Sequence, residues 1–187
     1  MEKQHRVYMY AFLSRLFSNT LDETYLKQLQ TNDDLLLTLG DSSFNWFKNS
    51  SFDEISEALN IDYSSVFLMN AKPLESSIID SKDEILVGLQ NPVMQFYFNH
   101  NYDLNLAASH LQTPDHISIE FAFMQNLIAK GEIVSQKEFL QAHLLKWAVP
   151  YFIGIKEMFS TPLYKDICDF SVEFLAKDYD FLVNELA

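Results

Sequence analysis

Apolar residues recur at spacings of three and four along almost the whole chain, the period of an amphipathic helix rather than of a strand. Tyr8, Phe12, Leu13, Leu16 and Phe17 mark one face of a first helix. Asp22 can cap a second, which carries Tyr25, Leu26 and Leu29, and Asp33-Asp34 interrupts the pattern before the Leu35-Leu36-Leu37 run. Ser51-Phe52-Asp53-Glu54 has the form of a capping box. Its hydroxyl can accept from a free amide while Glu54 reaches back to the cap. Phe52, Ile55, Leu59, Tyr63, Val66 and Phe67 then continue one apolar stripe. The spacing fails from Asn70 to Asp80, where Pro73 biases Lys72 away from the helical region and Ala71 to Ser77 reads as an extended connection.

Ser81-Lys82-Asp83-Glu84 is a second capping box, and Asn91-Pro92 starts a helix with Val93, Phe96 and Tyr97 on its face. Thr113 suits an N-cap and Pro114 the first helical position, whose amide needs no partner. Ile117, Phe121, Met124 and Ile128 follow, and Gly131 is a natural stop. Ser135-Gln136-Lys137-Glu138 is a third capping box ahead of Phe139, Leu140, Leu144 and Trp147, a pattern that Pro150 kinks or ends. Thr161-Pro162 opens a last helix through Leu163, Ile167, Phe170 and Phe174 towards Leu186. Gly40–Ser51 and Asn101–Pro114 read as mobile links. The expected architecture is all-α, a single globular bundle of about eight to ten helices in one domain over residues 1–187.

Composition supports this and narrows the function. Four Gly and five Pro are too few for the many tight turns of an all-β fold, and no phosphate-cradling glycine motif is present. Sixteen Phe, nine Tyr and two Trp provide an aromatic core. The net charge of −13 disfavours nucleic-acid backbones and anionic membranes as partners. One cysteine, Cys168, excludes an internal disulfide and reads as a small core hydrophobe. The polar start has no signal-peptide shape, and the apolar run Trp147–Ile155 is far short of a membrane span, so a soluble cytoplasmic protein without stable membrane insertion is expected.

Candidate chemistry gathers around histidines. His110, His116 and His143 can meet in space, with Asp115 and Glu120 near His116, and His116 and Glu120 share a helix face. That spacing permits a metal pair and leaves open a helical metalloenzyme that uses His110, His116, Glu120 and His143. The sole Glu-x-x-His, Glu2 to His5, sits at a terminus. Asp115, placed in a first helical turn, is either a stabilising charge there or part of a loop-to-helix corner that presents Asp115 and His116 to a partner.

Several motifs in order give the chain a family resemblance. Arg6-Val7-Tyr8 with Leu13-Ser14-Arg15-Leu16-Phe17, Asp62-Tyr63-Ser64-Ser65-Val66-Phe67 and Pro73-Leu74-Glu75-Ser76 come first. Pro114-Asp115-His116-Ile117 with Glu120, Phe121 and Met124, then His143-Leu144-Leu145-Lys146-Trp147 and Phe174-Leu175-Ala176-Lys177-Asp178, complete the series. The series resembles the TorD/DmsD/NarJ-type redox-enzyme maturation chaperones. Gln112 departs from it, standing where many members carry Glu. The resemblance implies an all-α, TorD-like chaperone of anaerobic respiration with no catalysis and no cofactor or metal of its own. It implies a cytoplasmic protein that binds the twin-arginine signal peptide and apo-form of a molybdoenzyme precursor, assists cofactor insertion and holds back Tat export. A monomer and a domain-swapped dimer both fit. The carboxylates of Glu75 and Asp115 are candidates for the arginines, and Tyr63, Phe67, Phe121, Met124 and Trp147 for the apolar stretch. Ser76, His116, Glu120 and His143 complete the candidate partner-binding set. A helical adaptor with a non-Tat partner is the remaining alternative.

Overall fold

The computed structural model describes residues 2–79, 90–106, 111 and 113–187. Among these residues the regular elements are all helical. They run α1 (Lys3–Ser18), α2 (Glu23–Gln30), α3 (Asp33–Leu39), α4 (Asp41–Asn49) and α5 (Phe52–Asp62). A π-helical stretch, Tyr63–Asn70, extends α5. Next come α6 (Glu75–Ile79), α7 (Pro92–Asn99), α8 (Ile117–Lys130) and α9 (Ile133–Phe139). A second π-helical stretch, Leu140–Leu144, leads into α10 (Leu145–Ile155), and α11 (Pro162–Glu185) closes the chain. No described helix is long and apolar enough to cross a membrane. Contacts divide the chain into two compact units: Met1–Ser18, Pro73–Tyr151 and Phe174–Ala187 in the first, Asn19–Lys72 and Phe152–Glu173 in the second.

The first unit is built around α8. Its sequence is apolar nearly all round, which marks a helix covered on every side. Ile117, Phe121, Phe123, Met124 and Leu127 are fully buried. α1 lies along it, with Tyr10 and Phe17 placing their rings 6.0 and 6.1 Å from Phe121. Tyr97 and Phe139 flank Phe123 at 4.7 and 4.8 Å. The two end motifs of the resemblance meet in this unit. Arg6 pairs with Asp178 through Nε and through Nη2 (3.0 Å), and the Tyr10 hydroxyl donates to the same carboxylate at 2.8 Å. The Arg6 guanidinium also lies over Phe181. Burial first, and then the Asp178 charge, push the Tyr10 phenol well above its ordinary range.

In the second unit the caps follow the sequence closely. Asp22 accepts from the Tyr25 amide at 2.9 Å, and the Ser51–Glu54 box is complete. Asp62, the acidic residue of a second motif, caps the start of α11: its carboxylate accepts from the amides of Ser160 and Thr161 and from the Thr161 hydroxyl at 2.7 Å. Asp62→Ala is expected to cost about 2–3 kcal/mol, because the buried amide and hydroxyl of Thr161 are left without their acceptor. Chemical denaturation of wild type and variant checks this. At Gly40 the backbone is extended, and a Cβ there would run into the Asp166 carboxylate. That carboxylate accepts from both the amide and the hydroxyl of Ser43 at 2.7 Å, so this glycine is needed for close approach. Cys168 is buried, and burial pushes its thiol up to about 12, an inert core position.

Several local expectations are corrected. Gly40–Ser51 is not a link, because α4 fills it and buries Phe47. The supposed extended connection contains α6, and the π-helical stretch carries helical structure on to Asn70. Ser135 does not cap a helix: α9 begins two residues earlier, at Ile133 after Glu132, and Gln136 is turned inward onto the Leu127 carbonyl. Thr113-Pro114 do not start a helix either, since the chain first forms a turn and a bridge and His116 takes the cap. Pro150 neither ends nor replaces α10. It forfeits the bond to the Lys146 carbonyl, and burial of Trp147, Ala148, Tyr151 and Phe152 offsets that loss. The Ser81 capping box, and part of Asn101–Pro114, lie outside the described residues.

Candidate functional site

Pro73 holds the connection before α6 extended, so its backbone can pair with a second extended stretch. The Leu74 segment bridges antiparallel to His116: the Ile117 amide donates to the Pro73 carbonyl at 3.0 Å and the Glu75 amide to the Asp115 carbonyl at 3.1 Å. The Asp115 side chain then accepts from the Ser76 amide at 2.9 Å. Asp115 therefore caps α6 and lies before α8, outside the first turn in which the sequence placed it. It is buried, and its aspartate charge serves the neighbouring segment rather than its own helix.

His116 caps α8. Its Nδ1 accepts from the Ser118 amide at 3.3 Å and lies 2.8 Å from the Ser118 hydroxyl, which donates to it. A ring nitrogen used twice as an acceptor belongs to a neutral imidazole. Burial agrees with this, lowering the His116 pKa to about 4 against the opposing pull of Asp115. The Tyr97 hydroxyl braces the corner by donating to the Pro114 carbonyl at 3.1 Å.

Two carboxylates from different elements face the corner. Glu75 of α6 places both oxygens against Nδ1 of His143, at 2.9 and 2.8 Å. Glu120 of α8, fully buried, accepts from the Trp147 indole at 3.1 Å through each oxygen. Burial first and the Glu75 charge next raise the Glu120 pKa well above the ordinary carboxylate value, against the Trp147 bond; Asp115 adds to the rise. Burial, followed by the charges of Glu120, Tyr102, Asp115 and Glu75, drives the Tyr97 phenol upward in the same way. Glu75, Asp115 and Glu120 are thus one electrostatic cluster in the first unit.

One edge of the cluster, at His143, faces a pocket. His143 lines a pocket of about 390 Å³ with Phe96, His100, Glu138 and Lys146, and Gln95 on its wall. His100 in turn is held by Glu132, Nδ1 to carboxylate 2.5 Å. Glu75 sits behind His143 with its side chain 13% exposed.

Of the residues singled out in the sequence, Glu75, Ser76, Asp115, His116, Glu120, His143 and Trp147 come together in the first unit. Phe121 and Met124 are buried along α8 and belong to its core. Tyr63 and Phe67 lie in the second unit, also buried; Phe67 packs on Phe159 and Tyr164 at 5.2 and 5.5 Å. These apolar side chains form cores and not an open groove. His110 lies outside the described residues. Among the described residues no three His, Cys, Asp or Glu side chains are placed to hold a metal. The pocket residues His100 and Glu138, and Glu132 which holds His100, had no sequence signal beyond ordinary charge and the helix end at His100.

The motifs that made the chain resemble a family are therefore wired to one another, Arg6 to Asp178, Ser76 to Asp115 and Glu120 to Trp147. The family described as "Nitrate reductase delta subunit" matches residues 18–152. The chain belongs to that family. It is a TorD/NarJ-type redox-enzyme maturation chaperone and not an enzyme. It is similar to the chaperone protein TorD of Shewanella sp. (strain ANA-3), 26% identical over 167 residues, which cover 81% of this chain and 80% of that protein. It is also similar to TorD of Aliivibrio salmonicida (strain LFI1238), 25% identical over 173 residues, covering 87% and 72%. TorD of Shewanella pealeana is 22% identical over 204 residues, covering 98% and 92%. No solved structure matches the chain significantly. Redox-enzyme precursors are the kind of partner this family serves.

Proposed function

We propose that this chaperone acts in the cytoplasm on the precursor of a molybdoenzyme. It binds the twin-arginine signal peptide and the apo-form, assists cofactor insertion and holds back export until the enzyme is mature. The observation that carries this reading is the cluster of Glu75, Asp115 and Glu120, which borders an open pocket through His143. Paired arginines need carboxylates in bidentate geometry, and a net charge of −13 favours a cationic partner. Glu75 is the most accessible of the three carboxylates, and it stands in the connection that links the corner to the pocket wall.

Isothermal titration with twin-arginine peptides from molybdoenzyme precursors encoded near this chain tests the reading. Binding by at least one peptide, weakened when its arginines become lysines, is the expected result. Lysine keeps the charge and loses the planar fork. Glu75→Gln keeps the shape of the side chain and should lower affinity about 10–100-fold, the range of a lost charge-assisted pair. Absence of binding to every such peptide and precursor overturns the proposal.

A further inference from the structure

The end of α7 builds a second hollow in the first unit. Asn101 takes the left-handed conformation, φ +50°, that often follows a helix. Its amide donates to the Phe98 carbonyl at 3.2 Å, and the Tyr102 amide donates to the Tyr97 carbonyl at 2.9 Å. Together these bonds form a Schellman motif, completed by its apolar contact, Tyr97 against Tyr102 with ring centroids 5.2 Å apart. The motif folds the chain back, so that Tyr102 and Leu104 line a pocket of about 690 Å³ with Met94 and Phe98. Met94 and Phe98 stand four apart, on one face of α7.

Phe98 is 69% exposed there. The core beside it is closed by Tyr97 against Phe123, with ring centroids 4.7 Å apart, so the Phe98 ring is left to water. A lone exposed ring needs no explanation, but one that lines a preformed hollow with other apolar walls is a docking point.

The two pockets of this unit meet at Asn99, which lines both. The first takes the side of α7 that carries Gln95 and Phe96, the second the side that carries Met94 and Phe98. A helix with its side chains is about 10–12 Å across, a span that an extended chain covers in about three or four residues. The pockets also differ in character. The first is the charged one, lined by Glu138, Lys146 and His100 with Glu75 behind His143. The second is largely apolar, and Asp103 is the charged residue on its wall.

We propose that the pocket at Phe98 receives the apolar stretch that follows the arginines of the client's signal peptide, with the chain crossing the end of α7 at Asn99. The proposal rests on the peptide-binding reading above and names a surface for the part of the peptide that Glu75 cannot hold. Tyr63, Phe67, Phe121, Met124 and Trp147 are buried and leave that part without a place. The order of the pockets sets the register: an arginine at Glu75 comes first, and the apolar residues begin about three or four positions later.

The test is calorimetric titration with two synthetic peptides. Both carry paired arginines, followed in one by a leucine-rich stretch and in the other by a serine-glycine stretch of equal length. Wild type should bind the leucine peptide more tightly. Phe98→Ser should lower affinity for the leucine peptide about 10–100-fold, the range set by burying one phenylalanine, and leave the serine peptide unchanged. Phe98→Leu should recover most of the loss, whereas Glu75→Gln should weaken both peptides. Leu104→Ser serves if Phe98→Ser folds poorly by circular dichroism. Met69→Ser removes an exposed apolar side chain from a separate hollow beside Ile61 in the second unit, and should bind as wild type does. Unchanged affinity of Phe98→Ser and Leu104→Ser for the leucine peptide, or a loss confined to Met69→Ser, overturns the placement and leaves the chaperone reading standing. Absence of wild-type binding to the leucine peptide also overturns the placement, and absence of binding to every native precursor peptide as well overturns the reading beneath it.

Discussion

Asp178→Ala is expected to lower the stability of the protein by about 3–5 kcal/mol, the usual result of removing one partner from a buried ion pair. Arg6 has nowhere to take its charge, because its guanidinium is enclosed by Asp178 on one side and the Phe181 ring on another. The Tyr10 hydroxyl loses its acceptor in the same step. Arg6→Leu with Asp178→Leu should recover most of the loss, since two apolar groups leave no charge buried without a partner. Urea unfolding of the single and double variants measures both values. A loss under 1 kcal/mol for Asp178→Ala would show that water reaches the pair.

A comparable loss, about 3–5 kcal/mol, is expected for Trp147→Ala. The indole is fully buried, and its removal leaves a cavity and deprives Glu120 of its hydrogen-bond donor. Glu120 itself should behave oppositely. Its carboxyl protonates more readily in the folded state than at the ordinary value of 4.5. The folded chain therefore holds a proton that the unfolded chain has released, and the stability contributed by Glu120, present below about 4.5, is lost as pH rises through the folded value. Glu120→Gln keeps an acceptor for the indole and does not titrate. Unfolding midpoints measured at pH 5 and pH 8 should show this variant gaining on wild type as pH rises. A constant difference between the two would mean that Glu120 is ionised at little cost.

The helical character was plain in the sequence because α1, α5, α8 and α11 each keep their apolar positions in register over many residues. Caps were legible where the capping side chain and its target sit three residues apart, as at Asp22 and Ser51. They were illegible where the cap comes from elsewhere in the chain. Asp62 serves the start of α11, and Asp115 serves α6, across gaps of 98 and 39 residues. Ser135 misled for the converse reason: the capping-box pattern is present, but the left-handed turn at Gly131 lets the next helix begin at once. The polar half of the candidate site was visible as motifs, yet their pairing was not, because Glu75 meets His143 through tertiary packing alone. The aromatic members suggested a groove on composition, since a buried ring and a groove-lining ring have the same helical spacing.

α6 buries none of its residues and is held by the Leu74–His116 bridge, the Asp115 cap and the Glu75–His143 contact. Detaching it exposes little apolar surface, so the free energy of that opening is nearly independent of denaturant concentration, unlike that of global unfolding. Amide hydrogen exchange of Glu75 and Ser76 in rising urea should accordingly stay flat while the amides of α8 accelerate. Salt and pH, which act on polar bonds, become the variables that set how often this segment is open.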